Sequence, residues 1–386
     1  MKQNTEKMSE HVNMQMRNKI LVTPQSSLLK RDKHLELLYN ILTKSGYEVM
    51  PFSIANAIRF GRRAIWHIHW IDVFHIGKIR KISMKSHFAV ISCLRFINFL
   101  IQVFICKLFR VKILWTIHNV ASHERPDSIF EEVVTKLLLV FSDRVTATNN
   151  HIIHKITENY GFSDISLMRQ GLYEGCYANT LTREEARHKL GLGEQDFVLV
   201  FLGGIEEYKG IDIAMEALDE VSDDSVKLVV AGRLDRDTAY GCRIHDLAIK
   251  NKNIILFDKF IPDDDVQIYF KSADYSIYPY RRIDNSGPIF LTLAFGVPTI
   301  IRSAGGIPEV IKLNPKIAIE IGQTDKSEIA QAIRKARETI VKEVEFKVFR
   351  EKLGWKNLED EVLQNFDALQ ETGIKRKLAQ GEKGNV

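Results

Sequence analysis

The sequence predicts an α/β protein of two domains, each with a parallel β-sheet covered by helices. Short apolar runs alternate with helical stretches along the 386 residues, a pattern typical of parallel sheets with helices on both faces. The length is too great for one ordinary core and suits two domains of roughly 150–200 residues. The content of 45% hydrophobic and 27% charged residues is that of a soluble globular protein.

The elements of the first half alternate between strand and helix. In order, the sequence predicts a strand at Lys19–Thr23, a helix over roughly 30–45, a strand at Ala64–Ile71, an apolar helix at Phe88–Phe109, a strand at Lys112–Ile117, a helix over roughly 128–141 and a strand at Arg144–Thr148. A linker is expected to begin at Gly171, and a capping box at Thr182–Glu185 predicts the start of a short helix.

The second half repeats the alternation. Its predicted strands lie near 197–202, 226–231, 253–256, 274–278 and 298–301, and a helical segment with Trp355 follows Phe346. The predicted divisions are a disordered leader at 1–17, an N-terminal domain at 18–175, a C-terminal domain at 176–345, a helical segment at 346–370 that packs back across the domains, and a disordered tail at 371–386.

Positive charge is concentrated in residues 51–115, which hold eleven Lys or Arg and a single acid, Asp72. The apolar helix lies in this stretch, and Arg95 and Lys107 within it argue against a membrane span. Two interpretations stay open. The helix is either a core helix of an α/β domain or one that lies in a bilayer surface, held by apolar insertion and flanking cations. No nucleic-acid-binding motif accompanies the charge.

A turn at Asn285-Ser286-Gly287-Pro288 precedes a helix over about 288–296. Ser286 is expected to cap the helix, Gly287 lets backbone N–H groups approach a ligand, and Pro288 suits the first helical turn. Exposed N–H groups and the positive end of the helix dipole stabilise an anion. This turn follows Tyr280-Arg281, so the sequence predicts a phosphate site here.

Two further strand-to-helix loops belong to the same predicted site. Gly203-Gly204 ends the first strand of the C-terminal domain, and Lys209 opens the helix after it, which suits the other face of a diphosphate. Glu309, after Gly305-Gly306, is placed to accept hydrogen bonds from a ribose, although a solvated acid in a first helical turn remains the alternative.

These residues resemble those of bacterial GT-B glycosyltransferases, a resemblance that implies two Rossmann-like domains facing a central cleft. It rests on Phe201–Gly210, Leu228–Gly232, Ala273–Tyr280, Ser286–Glu309 and Trp355. Within that group the chain is similar to exopolysaccharide transferases of the xanthan β-mannosyltransferase kind and to related group 1 glycosyltransferases. The segments that suggest this are His67–Trp70, Thr116–Asn119 with His123-Glu124, Gly171–Tyr173, Tyr208–Gly210 and Pro279-Tyr280 before Asn285–Gly287.

The sequence departs from retaining members of that group at two places. Those enzymes usually carry two glutamates separated by seven residues, where this chain has Ile283 and Leu291, and an Arg where it has Gly204. Arg281, its neighbour Arg282, or Arg233 is expected to supply the missing cation. The absent glutamates favour inversion by a single displacement.

Inversion needs a base that takes the proton of the acceptor hydroxyl. Glu124 and Asp72, which follow strands of the N-terminal domain, are the candidate bases, with a mere surface acid as the alternative for each. His118 is expected to contact the donor sugar or its phosphate, unless it is a structural histidine.

The resemblance implies transfer of a hexose from a nucleotide-diphosphate sugar to a lipid-linked or polysaccharide acceptor. The expected sugar is mannose, and the expected donor is GDP-mannose. The alternatives are a retaining transferase of the same fold, a nucleotide-sugar 2-epimerase and a non-catalytic partner subunit. No metal-ligand spacing is present in the sequence, so no cofactor and no metal are expected. We expect a cytoplasmic protein, peripheral on the inner face of the membrane through residues 51–115.

Overall fold

A computed structural model describes residues 19–23, 32–74, 85–120 and 129–381 of the chain. Contacts divide the described residues into two compact units, one within Met1–Arg169 and Leu358–Val386 and the other Gln170–Asn357. The first division precedes the predicted boundary at 175/176, and the second falls within the predicted segment 346–370. The last helix reaches Gly381, inside the stretch expected to be a disordered tail. The predicted leader at 1–17 lies outside the described residues.

The N-terminal unit is a parallel sheet of six strands in the order β2-β1-β3-β4-β5-β6. Its strands are β1 (Lys19–Thr23), β2 (Glu48–Pro51), β3 (Ala64–Ile68), β4 (Lys112–Ile117), β5 (Arg144–Ala147) and β6 (Ile165–Leu167), and its helices are α1 (Lys33–Lys44), α2 (Ile54–Phe60), α3 (Lys85–Leu108), α4 (Ile129–Phe141) and α5 (Asn150–Tyr160). Every residue of β3 is buried, as expected for a central strand covered on both faces. This strand was predicted at Ala64–Ile71 and ends three residues earlier, at Ile68.

The C-terminal unit is also a parallel sheet of six strands, in the order β12-β11-β10-β7-β8-β9. Its strands are β7 (Phe197–Leu202), β8 (Val226–Gly232), β9 (Ile254–Asp258), β10 (Tyr275–Tyr278), β11 (Thr299–Arg302) and β12 (Ala318–Ile321). The helices are α6 (Arg183–Leu190), α7 (Ile211–Val221), α8 (Ala239–Lys250), α9 (Val266–Ser272), α10 (Gly287–Ala294), α11 (Ile307–Ile311), α12 (Lys326–Glu338) and α13 (Lys347–Leu353), and α14 (Trp355–Gly381) runs from this unit into the other. The predicted capping box of Thr182 and Glu185 at the start of α6 is confirmed.

The order of strands in the C-terminal sheet is that of a Rossmann sheet. The chain winds outward from β7 through β8 to β9, and then returns to β10 and winds the other way. Ligands of such sheets bind beyond the carboxyl ends of the strands, at the point where the winding reverses. That point lies between the loops that follow β7 and β10, where the sequence predicts the phosphate site.

Helix α3 buries one face and exposes an apolar stripe. Phe99, Val103 and Cys106 are buried in the core. Its exposed apolar side chains include a series that recurs every three or four residues, Val90, Leu94, Ile97, Ile101, Phe104 and Leu108, with Leu100 beside it. By length and composition, Val90–Leu108 is long and apolar enough to cross a membrane, although only 22% of this stretch is buried in the protein. Helix α3 therefore covers the core with one face, as a core helix of an α/β domain does, and presents the apolar stripe on its other face.

Candidate functional site

The loops after β7 and β10 are in direct contact. Gly210 has a φ of +69°, and a Cβ there would lie 2.2 Å from the Pro279 carbonyl oxygen, so only glycine fits. The Arg281 N–H also donates to the Tyr208 carbonyl at 2.8 Å. The two loops that flank the reversal point of the sheet are thereby fixed to each other.

Lys209 lies over the glycine pair at the end of β7. Its Nζ donates to the Gly204 carbonyl at 2.8 Å and lies 3.6 Å from where a Cβ on Gly203 would stand. Burial lowers the pKa of the Lys209 ammonium, and Glu206 opposes that shift. A cation that has lost part of its hydration gains more from an anionic ligand. The structure therefore brings the predicted residues Gly203, Gly204 and Lys209 together.

The turn before α10 presents backbone N–H groups that no serine side chain caps. Ser286 occupies the N-cap position, as predicted, but makes no side-chain capping hydrogen bond. Its Oγ instead contacts Tyr280 Oη at 2.8 Å, and both residues are buried. The prediction that Ser286 caps the helix is wrong because Tyr280 engages the hydroxyl. The amides at the start of α10 keep their capacity to bind an anion.

Two side chains that the sequence analysis did not single out flank this turn. Gln170 Oε1 accepts from Asn285 Nδ2 at 3.1 Å, and Gln170 Nε2 donates to Tyr173 Oη at 2.7 Å. A Cβ on Gly287 would lie 3.5 Å from Tyr173 Oη. The signal available for Tyr173 was its place in the Gly171–Tyr173 segment, where Gly171 packs closely against the indole of Trp355.

The third predicted loop packs against the phosphate turn. Gly305 has a φ of +62°, and a Cβ there would lie 2.4 Å from the Ile283 carbonyl oxygen. The Gly306 N–H donates to the Asp284 carbonyl at 3.0 Å. Glu309 lies in the first turn of α11, half-buried. The predicted ribose contact of Glu309 stays a prediction.

The two arginines predicted to bind the donor differ in their surroundings. Arg281 donates to both carboxylate oxygens of Asp212, at 2.8 and 2.6 Å, and to the Glu207 carbonyl. Arg233 is exposed beyond β8 with its guanidinium over the Phe260 ring at 4.9 Å. Asp212 therefore holds Arg281 in a structural ion pair, a partner that the sequence analysis missed.

In the N-terminal unit, His118 ends a chain of buried hydrogen bonds. Its Nε2 lies 2.9 Å from His69 Nδ1, and Tyr39 Oη lies 2.6 Å from His69 Nε2 and 2.7 Å from His67 Nδ1. Its ring stacks on Trp70. Burial lowers the pKa of His118 well below its usual value, and nearby histidines lower it further. His118 is therefore a neutral imidazole.

The two candidate bases have different positions. Asp72 begins the short 3-10 turn at Asp72–Phe74, after β3, and is half-buried. Glu124 lies outside the described residues. Among the described residues, no group of His, Cys, Asp and Glu has the arrangement of a metal site.

Comparison with known proteins shows what the chain is similar to. Residues 182–342 match the family model described as "Glycosyl transferases group 1". The chain is 22% identical over 283 residues to the GDP-mannose:glycolipid 4-beta-D-mannosyltransferase of Xanthomonas campestris, covering 73% of this chain and 72% of that protein. It is 26% identical over 185 residues to an uncharacterized glycosyltransferase of Methanocaldococcus jannaschii, covering 46% of each.

The fold has a counterpart among solved structures. The Anabaena protein HepE, solved in complex with UDP-glucose, superposes with a TM-score of 0.68 at 14% identity, covering 91% of this chain and 99% of that one. The GT-B fold of two Rossmann-like domains is thus confirmed, as is the resemblance to group 1 glycosyltransferases with a xanthan-type mannosyltransferase among them. Three of the curated relatives are matched over less than half of their length, 46%, 39% and 45%.

Proposed function

We propose that this chain is a glycosyltransferase that moves a hexose from a nucleotide-diphosphate sugar to a lipid-linked or polysaccharide acceptor, with inversion at the anomeric carbon. The observation that carries the proposal is the uncapped start of α10 at the reversal point of the C-terminal sheet, together with Lys209, which lies over the glycine pair after β7. The matched family model covers this site. GDP-mannose is the proposed donor and mannose the proposed sugar, because the name of the Xanthomonas relative contains GDP-mannose.

The proposed step is a single displacement. The acceptor oxygen attacks the anomeric carbon as the bond from that carbon to the phosphate oxygen breaks, and the nucleoside diphosphate leaves with the bonding electrons. Asp72 or Glu124 takes the acceptor proton. Lys209 and the amides at Gly287 stabilise the negative charge on the leaving diphosphate.

Nucleotide binding tests this assignment directly. A thermal-shift screen of UDP, GDP, ADP and their sugars should select one nucleotide, because a ligand of the folded state raises its apparent stability. Gly287→Leu should weaken binding of that nucleotide about tenfold, since a helix N-terminus stabilises an anion by up to about 2 kcal/mol. Gly322→Leu is the matched control, at an exposed loop glycine where a Cβ lies 3.6 Å from Glu328 Oε1. Unchanged affinity in Gly287→Leu would remove the proposed phosphate site.

The alternatives differ in product. Proton NMR of the new linkage should show inversion, and net retention would identify the retaining transferase instead. Ile283, at the place of the first glutamate of retaining enzymes, is buried in the core of the unit, which favours inversion. Sugar conversion without an acceptor would identify an epimerase. Donor binding without turnover across an acceptor panel would identify a non-catalytic subunit.

We further propose that turnover needs no metal, because Lys209 and the start of α10 supply the positive charge that a divalent cation supplies elsewhere. Turnover should be unchanged within error after dialysis against a chelator. A loss that Mg²⁺ or Mn²⁺ restores would overturn this part of the proposal and leave the nucleotide site in place.

The acceptor is proposed to lie at a membrane surface, which α3 would contact. The apolar stripe of α3 is exposed, and the turn at Gly61–Arg63 lies against its end, since a Cβ on Gly61 would be 3.0 Å from the Phe109 carbonyl oxygen. Arg62, Arg63 and Arg110 are exposed there. An apolar stripe beside such cations suits a bilayer with anionic headgroups, where each cation adds about 1 kcal/mol.

A further inference from the structure

A chain of hydrogen bonds through the N-terminal unit starts at a backbone carbonyl. Thr146 Oγ1 donates to the Trp115 carbonyl at 3.5 Å. The next contacts are Thr146 Oγ1 to Thr116 Oγ1 (2.8 Å), Thr116 Oγ1 to His67 Nε2 (2.8 Å), His67 Nδ1 to Tyr39 Oη (2.7 Å), Tyr39 Oη to His69 Nε2 (2.6 Å) and His69 Nδ1 to His118 Nε2 (2.9 Å). Each of these contacts is a hydrogen bond with a single hydrogen between its two atoms. The direction of donation at one end of the chain therefore fixes the direction of every other bond in it.

The histidines of this chain are neutral. Burial lowers the pKa of His67 to about 3 and lowers those of His69 and His118 well below their usual value. A neutral imidazole has one N–H and one bare nitrogen, and the partner of one nitrogen decides the state of the other. Two arrangements are therefore self-consistent. Either all three histidines carry hydrogen on Nε2, or all three carry it on Nδ1.

The Trp115 carbonyl and the relative stability of the two tautomers both select the Nε2 arrangement. A carbonyl accepts but never donates, so the hydrogen of Thr146 points to Trp115, that of Thr116 points to Thr146, and Thr116 accepts from His67 Nε2. The opposite arrangement turns the Thr146 hydrogen to Thr116 and leaves the Trp115 contact without one. It also places all three histidines in the Nδ1–H form, although Nε2–H is the more stable tautomer of a free neutral histidine side chain.

We propose that Tyr39, His67, His69 and Thr116 are positioning residues that hold His118 with its hydrogen on Nε2, so that the bare Nδ1 accepts a hydrogen bond from a hydroxyl of the bound sugar. This proposal rests on the sugar transfer proposed above. Nδ1 has no hydrogen-bond partner among the described residues, and His118 is 7% exposed whereas His67 is fully buried. Two acceptors do not bond, so Nδ1 excludes a phosphate oxygen and selects the sugar.

Nitrogen NMR tests the tautomer without any substrate. In protein labelled with nitrogen-15 at histidine, His118 should show a protonated Nε2 and a bare Nδ1, assigned by comparison with His118→Asn. A protonated Nδ1 would overturn the proposal even if the protein proves to be a sugar transferase. Conversely, the expected tautomer in a protein that binds no sugar nucleotide would leave the hydrogen-bond chain standing and remove only the sugar as its ligand.

Sugar binding tests the role of Nδ1. Adding GDP-mannose or UDP-glucose, whichever the thermal screen selects, should move the His118 Nδ1 resonance, whereas GDP or UDP alone should not. Tyr39→Phe breaks the chain and should lower kcat/KM on the order of tenfold, the effect of one hydrogen bond, without changing affinity for the nucleoside diphosphate. Thr116→Val should act in the same way, and Thr116→Ser, which keeps the hydroxyl, should restore the rate.

A matched control separates positioning from packing. Tyr47 is buried in the same unit, and its hydroxyl donates to Asp367 at 2.6 Å, outside the chain to His118. Tyr47→Phe should leave the His118 tautomer and both affinities unchanged. If Tyr39→Phe instead lowered the affinity for GDP or UDP as much as that for the sugar nucleotide, Tyr39 would serve the fold alone and the proposal would fail.

Discussion

Arg281 is a residue of the candidate site whose charge is paired with a buried carboxylate of the protein. Its guanidinium donates two hydrogen bonds to Asp212, which is fully buried on α7. The same carboxylate accepts from Tyr240 Oη at 3.1 Å and lies 3.3 Å from Arg243. A buried carboxylate without a cation is costly. The fold therefore engages Arg281 with a carboxylate, while Lys209 Nζ donates to an uncharged partner, the Gly204 carbonyl.

Arg281→Met separates these roles. We expect it to lower the free energy of unfolding by about 3 kcal/mol, near the low end for a broken buried ion pair, because Tyr240 and Arg243 still contact Asp212. Urea unfolding measures this change, and nucleotide affinity of the folded variant should stay the same. Arg243→Met is the control, since its side chain is 50% exposed and should cost no more than about 1 kcal/mol. Weaker nucleotide binding at unchanged stability would instead make Arg281 a ligand of the donor.

The phosphate turn could be predicted because its residues form motifs within short stretches of sequence. Side-chain partners that are far apart in the sequence form no such motif. Gly204, Lys209 and Gly287 lie in loops between a strand and a helix, and the order of strands alone brings such loops to one edge of the sheet. His67 and His69 were visible as a motif. Their partner Tyr39 is on helix α1, and no spacing within the sequence joins it to them. The capping role of Ser286 was mistaken because Tyr280 engages its hydroxyl.

Among the secondary-structure elements, three strands were not predicted from the sequence, and all three are edge strands. β2, β6 and β12 lie at the ends of their sheets. Each has three or four residues, and none of the three is fully buried. An edge strand needs no long apolar run, so the pattern that reveals a central strand is absent from it. Central strands such as β4 and β7 were predicted with the bounds that the structure has.

The exposed apolar stripe of helix α3 predicts that substitutions there weaken binding to a membrane. Leu94 and Phe104 are more than 60% exposed, so replacing both with Glu should leave folding intact. Binding to vesicles of phosphatidylcholine and phosphatidylglycerol should fall more than tenfold, because each apolar side chain contributes about 2 kcal/mol on leaving water. Cosedimentation measures the bound fraction. A double replacement of Ile249 and Ile340 with Glu, at exposed positions of the C-terminal unit, is the control. Equal binding by both doubles would contradict the proposed contact.

At the scale of the whole molecule, the two units carry different kinds of site. The family match and the phosphate turn lie in the C-terminal unit, while the buried histidines and the apolar stripe lie in the N-terminal unit. The N-terminal unit also holds three of the four tryptophans, Trp66, Trp70 and Trp115. Tryptophan fluorescence therefore reports mainly on this unit, which makes its stability measurable within the full chain.

Acid should destabilise the N-terminal unit first. Burial lowers the pKa of His34 to about 4 and that of His67 to about 3, and lowers those of His69 and His118 well below the ordinary 6.5. Below pH 6.5 the unfolded chain therefore binds more protons than the folded one. Stability is full above that pH and falls as the pH drops, by about 1.4 kcal/mol per pH unit for each histidine that stays neutral.

Urea unfolding followed by tryptophan fluorescence at pH 7.5, 6 and 5 measures this loss. At pH 5 each such histidine costs about 2 kcal/mol, so the urea midpoint should fall steeply between pH 6 and 5 and little above 6.5. The loss should reverse on return to pH 7.5, because only protonation of the unfolded chain drives it. A midpoint that stays constant down to pH 5 would show that these histidines take up protons over the same pH range in the folded protein as in the unfolded chain. In that case the hydrogen-bond chain to His118 could not have the form described above.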